Sequence, residues 1–385
     1  MTKSKLYLLL SIYFVSSQGV CNSVVNSTDT HQHKDQDSSA LNAPAITKRP
    51  YNELTPNAQG DISYSKLTNR NPDCAAYVGE YTANIVDYQQ GIHLKSSLSI
   101  TAQETSCTFI SNNIPNHDVG NNTTTGEDFE SEVADNALNY VIQVPRHPKK
   151  KRWPTYIRKI ASNITLNGIL LNGVDLDMDS AFCYHPDFNT VNNIALGTRE
   201  QCGLFADWFA IPAANPSNVA LDEFTGHAFD GRYHYHGDNH GLSNVEDDNI
   251  LQAASITSRS GSPVIGFAPD GFPIYGHYFY DAKGRQVRKV QSSWQTYTSV
   301  RETPMGSNMV PPAIETHPRG MFVEDWYFKQ GSGDLDECNG MTDAYGNYGY
   351  YYTEEYPYGP LCTFGTPDDS FVKHNTEFQG QRTQD

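Results

Sequence analysis

The stretch Gly226-His-Ala-Phe-Asp-Gly-Arg-Tyr-His-Tyr-His-Gly-Asp-Asn-His240 carries most of what the chain says about itself. Its second half alternates ring types. In a strand, alternate side chains share a face, so His234 and His236 point one way and Tyr233 and Tyr235 the other. The Asp230-Gly231 pair favours a tight turn that folds His227 back over that strand. Two same-face imidazoles about 6–7 Å apart along a strand can converge on one ion through bonds of about 2.0–2.1 Å. His227 is then the nearest third ligand. A His-x-His pair also occurs as hydrogen-bonded structural histidines, so the spacing alone leaves both readings open. The density favours the ion: four of the chain's 13 histidines fall between positions 227 and 240.

The same grammar extends outward. Short runs rich in Tyr, Val, Ile, Thr and Phe alternate with Gly, Pro, Asn and Asp, the signature of strands and turns. Strands are expected at 93–101, 140–144, 164–171, 264–267, 274–280 and 348–353. Asp248 is placed to cap one short helix over 250–256. Residues 231–236 have an imperfect, histidine-free echo at 347–352, but no repeat of 20–50 residues runs through the chain. The fold class that follows is mainly β: a single large β-sandwich or distorted-barrel-like domain with long loops and few short helices.

The N-terminus reads as a secretory signal over residues 1–19. Lys3 and Lys5 precede the apolar run 6–15, and Ser17-Gln-Gly19 suits cleavage before Val20. The run is shorter than the ~20 residues of a membrane span, and no other segment approaches that length. Cys21 raises lipid anchoring, but Val20 stands where that signal wants a small residue. Residues 20–72 form a polar linker without periodicity, where His31 and His33 are incidental. The ordered domain is expected over 73–371 and a flexible tail over 372–385. Beyond Cys21, the six cysteines (74, 107, 183, 202, 338, 362) include no CxxC and suit three disulfides in an oxidising compartment. Pairing between sequence neighbours is the simplest of the fifteen connectivities. Sequons at Asn26, Asn121, Asn122 and Asn163 matter only in a eukaryotic secretory pathway.

A net charge of -17 excludes nonspecific nucleic-acid binding and disfavours anionic membranes. The contrary feature is Lys149-Lys-Lys-Arg152, extended by Arg146, Arg158 and Lys159, which reads as a solvated loop before it reads as an anion-binding patch. There is no GxSxG, HExxH, Walker A or GxGxxG. Asp175, Asp177 and Asp179 suggest a calcium loop, but Ser180 and Pro186 stand where an EF-hand needs Gly and Glu. A polar strand face or turn accounts for them.

Tyr233-His-Tyr-His-Gly237, followed by Ile265-Gly-Phe-Ala-Pro-Asp-Gly-Phe-Pro-Ile-Tyr-Gly276, resembles the family named for its YHYH motif. Asn113-Ile-Pro-Asn-His-Asp118, Leu171-Asn-Gly-Val174, Phe322-Val-Glu-Asp-Trp326, Gly333-Asp-Leu-Asp-Glu-Cys-Asn-Gly340 and Thr353-Glu-Glu-Tyr-Pro-Tyr358 fit in order, from about residue 107 to 365. The resemblance implies a domain of secreted or periplasmic proteins and supplies no reaction. It adds His117, in the Ile-Pro-Asn-His segment, to His227, His234 and His236 as a candidate metal ligand. It also marks a departure, since Gly349 and Tyr351 stand where that pattern often carries histidine. Asp270 becomes a candidate for orienting an imidazole, although a turn-capping role suits it better. His185, His240 and His277 rank lower.

The reading is an exported protein binding Cu or Zn through its histidine cluster, with no nucleic-acid partner, no membrane span and no assignable catalytic residue. A metal-dependent extracellular hydrolase or oxidoreductase is the first alternative. A cell-surface module whose tyrosine-rich face (24 tyrosines in the chain) binds glycans or protein is the second.

Overall fold

The computed structural model describes residues 60–63, 67, 69–120, 140–157, 164–178, 183–184, 208–214, 221–229, 231–237, 261–303 and 310–373. The expected signal segment, the 250–256 helix, the tail beyond Lys373, His185, His240 and Cys202 lie outside them. So do Asp179, Arg158 and Lys159.

Among the described residues five strands come first: β1 (Gly60–Asp61), β2 (Gly79–Asp87), β3 (Ile92–Ala102), β4 (Ser106–Ser111) and β5 (Tyr140–Pro145). They form one sheet in that order, parallel at β1–β2 and antiparallel thereafter. Burial alternates along β2 and β3, so one face is apolar. Tyr81, Ile85, Leu94, Leu98, Ile100, Phe109, Ile142 and Val144 are buried there. Each such side chain is worth roughly 1.5–3 kcal/mol on burial. A partly exposed ion pair such as Arg146–Asp73 contributes about 1 kcal/mol or less, so the apolar face dominates.

Two short strands follow, β6 (Thr155–Tyr156) and β7 (Ile164–Thr165). Then come β8 (Gly168–Leu170), β9 (Asp175–Leu176), β10 (Gly226–Phe229), β11 (Arg232–Tyr235), β12 (Val264–Phe267) and β13 (Pro273–Tyr275). The remainder are β14 (Tyr278–Asp281), β15 (Gln286–Lys289), β16 (Trp294–Thr296), β17 (Trp326–Phe328), β18 (Gly340–Thr342), β19 (Tyr348–Tyr351), β20 (Cys362–Thr363) and β21 (Val372–Lys373). Eight of them make the second sheet, ordered β10-β11-β9-β8-β12-β13-β19-β18. Its central strands β8, β12, β13 and β19 are buried along their whole length, because both faces are covered. One core cluster draws from both sheets, with Phe267 of β12 edge-on to Phe109 of β4 at 6.3 Å. The fold is mainly β, and neither sheet closes into a barrel.

Several expected elements are redrawn. Residues 164–171 split because β7 pairs with β21 while β8 joins the large sheet. Residues 274–280 split because β14 leaves that sheet for a hairpin with β15. Ordered structure also begins upstream of residue 73: β1 pairs with β2, and Ile62 and Leu67 are buried in the core. Strand β21 extends it past residue 371. Of the expected disulfides, Cys74–Cys107 and Cys338–Cys362 are formed. Cys183 is also disulfide-bonded, to a partner outside the described residues.

The β12–β13 hairpin turns through Asp270-Gly271, where Gly271 has φ +86° and an added Cβ would lie 2.0 Å from the Pro145 carbonyl oxygen. Gly346 has a similar φ of +88° with nothing within 4 Å. Gly271→Ala is expected to cost more than about 3 kcal/mol, while Gly346→Ala costs only about 1–2 kcal/mol for its left-handed backbone. Denaturant unfolding of both variants checks this, and equal losses would contradict the steric account.

Candidate metal centre

Strands β10 and β11 form an antiparallel hairpin that places His227 directly opposite His234, with Gly226 opposite Tyr235 and Phe229 opposite Arg232. Gly231, at φ +80°, sits in the connection. Strand alternation then puts His227, His234 and His236 on one face. They are 5%, 6% and 5% exposed. Their rings meet edge to face, with centroids 4.7 Å apart for His227–His234 and for His234–His236, and 5.0 Å for His227–His236. One ligating nitrogen from each lies within 4.8 Å of the others, and the Nε2 atoms of His227 and His236 are 3.1 Å apart. Three nitrogens tetrahedrally disposed on zinc sit about 3.3 Å from one another, a spacing that the His227–His236 pair matches.

The tautomer of His234 follows from its backbone. Its Nδ1 lies 3.2 Å from the Arg232 carbonyl oxygen. A carbonyl only accepts, so Nδ1 carries the proton and Nε2 keeps the lone pair. Burial, then the neighbouring His236 and His227 rings, then Arg232, hold the His234 pKa well below the ordinary imidazole value. The ring is therefore neutral, the form that ligates a metal.

The opposite face of β11 is a polar clamp. Tyr233 Oη donates to Asp222 Oδ2 at 2.6 Å, and Asp222 also accepts from the Phe224 and Gly226 amides through Oδ1. Gly226 leaves room for this: a Cβ there would fall 2.4 Å from Tyr233 Oη. Tyr235 Oη meets His117 Nε2 at 2.5 Å and accepts from Asn172 Nδ2 at 3.0 Å. Asn172 also donates to Asn116 Oδ1. Asn113, at φ +58°, uses its Nδ2 to bind both Asp175 Oδ1 and the Tyr233 carbonyl. Holding a non-glycine residue in that region costs of order 1–3 kcal/mol, which its buried hydrogen bonds offset.

His117 is thus drawn to the far face of the strand. Its Nε2 is engaged by Tyr235 and its Nδ1 lies 2.8 Å from the Asp118 carbonyl. Burial lowers its pKa to about 4. It does not join the three converging imidazoles, and the expectation that it shares their ion is corrected: both its ring nitrogens are engaged, by the Tyr235 hydroxyl and the Asp118 carbonyl. His277 is buried elsewhere, 6.3 Å from the Tyr352 ring. Asp175 lies in β9 beside His234 and pairs with Arg232 at 2.9 Å, which suits a strand face and not a calcium loop. Gly349 and Tyr351 lie in β19, where Tyr351 stacks on Tyr275.

Asp270 binds no imidazole. It accepts from the Tyr350 hydroxyl and the Gly365 amide at 2.7 Å each and from the Phe272 amide at 3.3 Å, a turn-capping role. Sequence reasoning did not single out Asp222 or Asn113 as supports. An Asp four residues ahead of a strand-opening Gly and an Asn before Ile-Pro are ordinary turn signals, and nothing local points to their distant tyrosine partners.

A family described as YHYH protein matches residues 141–365, more than half of the chain. The chain belongs to that family. The matched YHYH span contains His227, His234 and His236 and begins downstream of His117. No curated protein and no solved structure matches. Among the described residues, no helix is long and apolar enough to cross a membrane.

Burial pushes the Asp270 carboxyl up to about 6. Its unfolded value is about 3.9, so between roughly pH 4 and 6 the folded chain holds a proton that the unfolded chain has lost. This contribution to stability is full below about pH 4 and falls as pH rises to about 6, by on the order of 2–3 kcal/mol. Asp270→Asn removes it. Unfolding free energies measured from pH 4 to 7 are expected to show wild type minus variant shrinking across that window, and a constant difference would contradict the shift.

Proposed function

We infer that this YHYH protein is an exported metal-binding protein that holds one Cu²⁺ or Zn²⁺ on His227, His234 and His236. The observation that carries the reading is the convergence of three buried ring nitrogens within 4.8 Å, with one ring held neutral. Neutral imidazole suits either ion, and Cu²⁺ binds nitrogen sites of this kind more tightly. The disulfides and the N-terminal charge and hydropathy pattern support export into an oxidising compartment.

A metal-dependent enzyme is the second reading, favoured by the number of converging imidazoles among the described residues. Three protein ligands leave a position for water or substrate, whereas structural sites use four. Turnover of esters, phosphates or phenols by the loaded protein, lost with the metal, separates it from simple binding.

Elemental analysis and titration test the site on wild type, the His234→Ala/His236→Ala double variant and His117→Gln. The expected result is one ion per chain in wild type and His117→Gln and none in the double variant, with all three folded by circular dichroism. Free metal at 100 times its Kd raises wild-type stability by about 2.7 kcal/mol and leaves the double variant unmoved. Equal affinity in all three proteins, or none, would leave the triad as hydrogen-bonded structural histidines.

A further inference from the structure

The basic run between β5 and β6 is only partly neutralised among the described residues, and it serves nothing in the metal centre. Lys149, Lys151, Arg152 and Trp153 are exposed, Trp153 by 70%. The backbone beneath them is fastened down. Lys151 N–H donates to the Phe364 carbonyl at 2.7 Å, and Ile157 N–H to the Leu361 carbonyl at 3.2 Å. Between those two bonds, β6 pairs with β20, where Cys362 is disulfide-bonded to Cys338. Lys150 is consumed in the same anchoring: its ammonium pairs with Asp336 at 3.1 Å and lies 3.7 Å above the Tyr348 ring. Arg146 is paired with Asp73. Lys149, Lys151 and Arg152 make no ion pair with any carboxylate among the described residues. The Arg152 guanidinium sits 5.1 Å over the Trp153 ring centroid, so a cation and a largely exposed aromatic side chain occur together.

A chain of net charge -17 whose hydrogen-bonded strap carries three cations with no carboxylate partner among the described residues offers a local site for an anion. The exposed indole narrows the class. An aromatic face gives the C–H surface of a sugar ring something to stack against, and the flanking cations meet its acidic substituents. The charge of the rest of the molecule narrows it further. A planar anionic bilayer or a duplex nucleic acid, with a charge every ~1.7 Å, brings a dense negative field to the acidic body within the Debye length of about 8–10 Å. A single, sparsely charged polymer strand touches the strap and leaves that body in solvent. We propose that the strap at residues 149–153 is a binding site for an anionic polysaccharide, independent of the histidine centre.

The test uses the full chain with immobilised heparin and alginate as sulfated and carboxylated probes and dextran as the neutral one. Phosphatidylserine vesicles and duplex DNA stand as competing surfaces. The variants are Lys149→Ser/Lys151→Ser/Arg152→Ser and Trp153→Ala, all at exposed side chains, so unfolding curves should match wild type. Wild type is expected to bind heparin or alginate and not dextran, and the stronger of the two names the acidic group. The triple variant weakens this binding roughly 100-fold at low salt and flattens its salt dependence. Trp153→Ala weakens it about three- to tenfold at any salt. No binding to either polysaccharide, or binding that both variants leave unchanged, overturns the proposal. Tighter binding to vesicles or DNA, lost in the same variants, overturns the choice of polysaccharide.

Discussion

Everything at the candidate centre depends on one strand having two different faces. Strand β11 alternates Tyr and His, and the tyrosine side is fixed before the histidine side can mean anything. Tyr233 is tied to Asp222, and Tyr235 to His117 and Asn172. These hydroxyls are buried, so each would cost several kcal/mol unpaired. Satisfying them fixes the strand's register and roll. A slip of one residue would turn the tyrosines onto the ion-binding face and the imidazoles into the clamp. Register and chemistry are therefore the same constraint.

The clamp also links the two sheets. Asn113 lies two residues past the end of β4 in the five-stranded sheet and bonds Asp175 of β9 and the carbonyl of Tyr233 in β11. Asn116 reaches the Ile62 carbonyl and accepts from Asn172. The 113–118 segment thus connects the first sheet, the stretch after β1 and the back of the histidine hairpin. Apolar burial supplies the bulk of the stability. The asparagines supply direction, since each amide has few geometries in which all its groups are paired.

Much of this was legible in residues. The alternation in 233–236 and the Asp-Gly pair before it gave the hairpin and the meeting of His227 with His234, because both signals are local. The run 264–267 became a strand with the expected bounds for the same reason. The runs 164–171 and 274–280 each held two strands, and no local pattern says that β7 will pair with β21 some 200 residues later. The strand at Gly60–Asp61 was hidden by polar composition, with Ile62 and Leu67 as the apolar marks of burial beside it. His117 stood in a suggestive motif, yet its place was decided by a tyrosine 118 residues away. The basic run 149–152 was visible as charge, but its anchoring comes from β20 and Phe364, far along the chain.

The central claim is that three imidazoles of one hairpin share an ion, and X-ray absorption at the metal edge of the loaded protein tests it most directly. The account predicts a shell with three imidazole nitrogens, at about 2.0–2.1 Å for zinc, showing the outer-shell scattering of the rings and reduced in His234→Ala/His236→Ala. A shell of oxygens alone without ring scattering, or one that the double variant leaves intact, would contradict it.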